Sequence, residues 1–163
     1  MTFTANDVAY APRPIPSGVL DELRVVDDAG RRTESFADEE GGAPLRCCLR
    51  RGAAGERIAL VSYAPLRRWA AGAGVDPGAY DEQGPVFVHA GDCAGFAGDG
   101  YPFAQAHRTV RRYSAQGRIL GGALVGVGGL DVALRNAFDD PDVEFVHVRA
   151  VEYGCFLYEV RRT

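Results

Sequence analysis

Hydrophobic and polar positions alternate most clearly in the second half of the chain. Pro85–Ala90 (PVFVHA) and Val143–Val151 (VEFVHVRAV) both carry Phe-Val-His with period-2 alternation, the signature of strands. Alternation puts Phe87 and His89 on one face of the first, with Val86, Val88 and Ala90 on the other. In the second it groups Phe145, His147 and Arg149 against Val146, Val148 and Ala150. The small aliphatic side is the expected core side, so the two histidines are expected to share the opposite, more polar face.

Other segments repeat this pattern. Pro44–Arg50 and Arg57–Tyr63 are β-compatible runs joined by RGAAGE, and His107–Tyr113 and Arg118–Val127 form a second hairpin turning at SAQG. Gly154–Arg161 closes the chain as a final strand. Helical spacing occurs twice. Ser17 is the expected N-cap of a short helix burying Leu20 and Leu23, and Leu130, Leu134 and Phe138 mark one face of another, stopped at Asp139-Asp140-Pro141. Residues 1–16, with Pro12, Pro14 and Pro16, read as an irregular lead-in. The polar stretch 27–42 reads as a loop, 65–84 as a long irregular connection around Asp76-Pro77-Gly78, and 91–103 as a glycine-rich loop. The expectation is one α+β domain spanning 1–163. Its core is a single, mainly antiparallel sheet of about six or seven strands, with two short helices.

Composition sharpens the picture by exclusion. At 163 residues, 47% hydrophobic and 10% aromatic, the chain has the makeup of an ordinary globular domain. Its net charge of −4 supplies no global basic field for nucleic acid or anionic membrane, and neither is an expected partner. No apolar run approaches the roughly 20 residues of a membrane span, and the N-terminus has neither the charged nor the apolar region of a signal peptide. The cytoplasm is therefore the expected compartment, and a homodimer is compatible with this reading. All 18 basic residues are arginine. With no lysine there is no Schiff-base chemistry and no phosphate-loop nucleotide hydrolysis.

The segments GPVFVHAGDC, RRYSAQGRILGG and DPDVEFVHVRAVEYGCFLYEV together resemble a bacterial family catalogued as domain of unknown function 1203. The resemblance covers about the last three-quarters of the chain. Its most specific pattern is the closing His147, Gly154, Cys155 and Phe156. It implies a small single-domain protein and brings with it no reaction and no residue role.

Candidate chemistry rests on few residues. A sheet face with His, Arg, Tyr and Cys suits an anionic small molecule, because guanidinium groups grip carboxylate or phosphate bidentately. Arg111, Tyr113, Arg149 and Tyr153 are the candidate binding residues. His89, Cys93, His147 and Cys155 are the candidate catalytic set, with a thiol as nucleophile and an imidazole as base. The same four offer two nitrogens and two sulfurs to a metal, but their spacings are not the tight pairs of structural zinc. No metal and no cofactor is therefore expected. Cys47 and Cys48, as neighbours on a strand, would point to opposite faces. The function expected is an enzyme acting on an anionic small molecule, with a non-catalytic ligand-binding or protein-interaction domain as the alternative.

Overall fold

The computed structural model of the chain describes residues 10–163, in which ten strands form two five-stranded sheets accompanied by three α-helices. This corrects the expectation of one sheet with six or seven strands and two helices. In chain order the elements are β1 (Tyr10–Arg13), α1 (Ser17–Leu23), β2 (Ser35–Asp38), β3 (Pro44–Leu45), β4 (Arg50–Arg51), β5 (Glu56–Tyr63) and α2 (Pro65–Ala73). There follow β6 (Gly84–His89), β7 (Arg108–Ser114), β8 (Ile119–Val125), α3 (Leu130–Phe138), β9 (Val143–Ala150) and β10 (Phe156–Arg162). The first sheet runs β1-β10-β9-β7-β8, antiparallel throughout; the second runs β2-β5-β6-β3-β4, with β3 and β6 parallel. Among the described residues no helix is long and apolar enough to cross a membrane.

The two strands missed from sequence, β1 and β2, are short sheet-edge segments with weak alternation. β1 lies inside the proline-bearing lead-in and pairs with β10, where an edge position leaves proline's missing donor harmless; residues 1–9 of that lead-in lie outside the described residues. β2 lies in the polar stretch and pairs with β5. Helix α2 occupies the start of the segment read as an irregular connection. Pro65 opens it, Leu66 and Ala70 are buried on one face, and Gly74 closes it at φ 70, a left-handed conformation glycine adopts without a Cβ clash. Helix α1 begins at Ser17, but Pro16 takes the N-cap position and no side chain caps it.

The core forms around the two sheets. Helix α3 lays Leu130, Leu134, Ala137 and Phe138 on Val110, Val146, Val148 and Val160 of the first sheet. The opposite face of that sheet is also covered: Tyr113 and Phe145 pack against Leu66 and Trp69 of α2. Helix α1 packs Leu20 and Leu23 into the apolar cluster of the second sheet, with Ile58, Val61, Val86 and Val88. Phe156 at the start of β10 joins that cluster and meets Tyr63 edge-on at 5.5 Å, so the sheets are packed together and not merely tethered.

Candidate functional site

Three places carry chemistry, and the two histidines occupy different ones. The valines of both strands are buried, in keeping with the alternation. His89 ends β6 in the second sheet, however, whereas His147 lies in β9 at the centre of the first. The shared polar face does not exist. Both sides of β9 are covered, and His147 is 1% exposed amid Tyr113, Phe145 and Phe156.

Cross-strand register brings the expected binding residues of the first sheet together around His147. Arg111 pairs with His147 and Thr109 with Arg149. A single carboxylate, Glu82, takes hydrogen bonds from Arg111 at 2.8 Å and Arg149 at 2.7 Å, while Arg111 also reaches the Tyr113 hydroxyl at 3.4 Å. These two guanidinium groups thus share one carboxylate as their partner. His147 Nε2 lies 3.3 Å from Glu159 Oε1, and its Nδ1 is buried without a partner among the described residues. Burial holds this imidazole below its ordinary range, partly opposed by the Glu159 carboxylate.

His89 belongs to a cluster that sequence reading did not assemble. Cys47 and Cys48 sit in a turn between β3 and β4, not on a strand. Leu49 in that turn has φ 56, and the curled backbone brings the adjacent thiols to 3.9 Å instead of sending them to opposite faces. His89 Nδ1 lies 3.4 Å from Cys47 Sγ and 3.9 Å from Cys48 Sγ. Cys93 joins them from the glycine-rich loop, and the donor atoms of all four residues lie within 4.8 Å of one another. The remaining histidine nitrogen, Nε2, meets Glu56, whose carboxylate is gripped by Arg50 at 3.1 and 3.2 Å and by the Ala53 amide at 2.7 Å. Hydrogen bonds from Arg50, Ala53 and His89 hold the Glu56 carboxyl down to about 2. The Cys47 thiol donates to Cys48 and favours its thiolate, drawing the Cys48 thiol down while Cys47 itself is pushed upward. His147 and Cys155 are not part of this cluster.

The third place is a cavity of about 430 Å³ where the two sheets meet. The second sheet and its turn contribute Pro44, Arg46, Arg51, Leu60 and Phe87; the first contributes Arg108 and Leu157, with Cys155 and Tyr153 at the β9–β10 turn. Phe103, at φ 56, adds its ring from the loop, and Arg51 lies 5.7 Å above that ring. Arg46 is 3% exposed and Arg108 is buried. Their hydrogen bonds go only to backbone carbonyls: Arg46 to Phe156 at 2.8 Å and to Pro44, Arg108 to Phe103 at 2.8 Å and His107 at 3.1 Å. Arg51 likewise donates to the Gly42 carbonyl. Among the described residues none of the three pairs with a carboxylate. Burial lowers Arg46 to about 10 and Arg108 in the same direction; Cys155 opposes the shift at Arg46 and Glu152, which also lines the cavity, opposes it at Arg108, while Arg51 repels both. Cys155 and Tyr153, two of the residues singled out from sequence, line this cavity. No histidine lines this cavity, so the thiol of Cys155 has no imidazole beside it there.

These residues fall within the span that identifies the chain. It belongs to the family described as Protein of unknown function (DUF1203), whose model matches residues 42–162. No curated protein matches the sequence, and no solved structure matches it.

Proposed function

We propose that this member of the DUF1203 family binds a small organic anion, a carboxylate or phosphate monoester with an aromatic or branched aliphatic body, in the cavity between its sheets. The observation that carries the reading is the trio Arg46, Arg51 and Arg108, three guanidinium groups on one cavity that form no ion pair with a carboxylate among the described residues; Glu152, the one acidic residue of the lining, acts on Arg108 only from beyond ion-pair distance. Arg46 and Arg108 are buried while Arg51 is exposed, and placing cationic groups out of water is costly unless something of opposite charge accompanies them. At the neighbouring site two arginines share Glu82; here the corresponding anion is left for a ligand to supply. Leu60, Phe87, Phe103 and Leu157 would then hold the apolar body, and the volume lies within the ordinary range for small-molecule sites.

Binding is favoured over catalysis because the cavity offers one thiol, Cys155, with no histidine beside it. Titration calorimetry with phenyl phosphate, benzoate and the neutral benzyl alcohol tests the proposal. Saturable binding of either anion, at least tenfold tighter than benzyl alcohol and weakened by Arg108→Met, is the expected result. Equal affinity for all three, or no heat with any, would refute it.

A further inference from the structure

The geometry points to a second, independent site: we infer that Cys47, Cys48, His89 and Cys93 form a closed, four-coordinate zinc centre that pins the glycine-rich loop to the end of β6. A tetrahedron with Zn–S of about 2.3 Å and Zn–N of about 2.0–2.1 Å has S···S edges near 3.8 Å and S···N edges near 3.5 Å. The pairs Cys47–Cys48 at 3.9 Å, Cys47–His89 at 3.4 Å and Cys48–His89 at 3.9 Å lie close to those edges. Cys93 supplies the fourth donor within the 4.8 Å compass of the group. Three thiols and one imidazole are a donor set that soft, tetrahedral zinc prefers over hard cations, and four protein ligands leave no open position for water, as in structural centres.

Thiols packed merely as small apolar groups need no directed surroundings. Here the surroundings are directed. The His89 amide donates to Cys47 Sγ at 3.2 Å, a hydrogen bond that suits a thiolate. His89 turns Nδ1 to the sulfurs and Nε2 to Glu56, the arrangement in which a carboxylate fixes the tautomer and orientation of a ligating histidine. Arg50 and the Ala53 amide fix that carboxylate in turn, on the surface side where a thiolate-rich zinc centre needs positive charge nearby. The ligands come from the β3–β4 turn, the end of β6 and the loop beyond it. Residues 92–98 of that loop have no regular secondary structure, so a zinc bond at Cys93 would supply the restraint that backbone hydrogen bonding does not.

The test is zinc content, by plasma mass spectrometry, of full-length protein purified without a polyhistidine tag, which is independent of the anion proposal. About one zinc per chain is expected, and cobalt(II) exchanged into the site should give the visible bands of tetrahedral thiolate coordination. Cys93→Ser should lose the metal, whereas Cys155→Ser, outside the cluster, should retain it. Because Cys93→Ser could unfold the loop, Glu56→Gln supplies a second reading. It leaves all four ligands in place and should weaken zinc binding roughly 10–100-fold in a chelator competition, with partial recovery in Glu56→Asp. Less than about a tenth of an equivalent of zinc in wild type after zinc supplementation, iron in its place, equal zinc loss in Cys93→Ser and Cys155→Ser, or unchanged affinity in Glu56→Gln would each overturn the assignment.

Discussion

Replacing Arg46 by methionine separates a ligand-binding arginine from a structural strut. Methionine keeps most of the apolar stem and removes the guanidinium, which is 3% exposed. In the folded chain burial lowers this group from its ordinary range to about 10, which corresponds to roughly 3 kcal/mol spent holding the charge. The substitution recovers that amount and strips a donor from the carbonyls of Phe156 and Pro44. Each loss costs about 1–3 kcal/mol, near the low end here because water in the cavity can reach the vacated acceptors. The two effects nearly offset each other. Ligand-free Arg46→Met should therefore unfold within about 2 kcal/mol of wild type, a melting shift of no more than about 8 °C for a chain of this size. The bound state has no such compensation. Losing one charged hydrogen bond to the anion, worth about 1.5–3 kcal/mol, should weaken phenyl phosphate binding by roughly 10–150-fold. Urea unfolding and calorimetric titration of the same preparations measure both numbers. A stability loss above about 4 kcal/mol with anion affinity unchanged would refute the reasoning and make Arg46 a strut between the sheets.

Two further outcomes follow from buried ionic groups. His147 has a depressed folded pKa, so below the unfolded value of about 6.5 the unfolded chain takes up a proton that the native state does not; stability should fall from pH 7 to pH 5 by up to about 1.4 kcal/mol per unit. Glu159, also depressed, contributes stability that is lost only below its unfolded range near 4.5, which leaves the upper window to the histidine. His147→Phe, seated among Tyr113, Phe145 and Phe156, should flatten the slope between pH 5 and 7 in urea unfolding, and an unchanged slope would assign it to another group. Asp28 accepts from the Ala64 amide at 2.8 Å and from Arg68 at 2.8 Å. Asp28→Ala strands the Ala64 amide and leaves Arg68 only its ion pair with Glu22, and should cost about 1–3 kcal/mol in thermal unfolding; a change below about 0.5 kcal/mol would show that α2 does not depend on this anchor.

How much was legible in the sequence can be argued residue by residue. Alternation located β5–β10, since a strand with one aliphatic face announces it every second residue, and the periodic leucines of α3 announced a helix in the same way. It correctly buried Val86, Val88, Val146 and Val148. The absence of lysine and the family resemblance needed no structure at all. Period, however, is a property of one strand, and sheet membership is a property of pairs. Nothing within FVH at 87–89 or 145–147 tells which neighbour each strand will choose, so one sheet was inferred where there are two, and a shared face where the histidines stand apart.

The cysteine cluster was illegible for a related reason. The rule that adjacent side chains diverge holds for extended backbone, and the turn at Cys47–Leu49 is not extended; its left-handed Leu49 reverses the geometry on which the rule depends. The adjacent Cys47-Cys48 and the His89-x3-Cys93 spacing were visible, but they meet only because β3 pairs parallel with β6 and carries the turn to the end of His89's strand. The arginine cavity is likewise a product of packing, since Arg46 and Arg51 of the β3–β4 hairpin meet Arg108 of β7 only when the sheets close on one another. Sequence alone determined strands β5–β10, their buried aliphatic faces and the chemistry available. Tertiary structure decided which of those groups meet, because side-chain convergence depends on long-range pairing and on backbone turns that local periodicity does not encode.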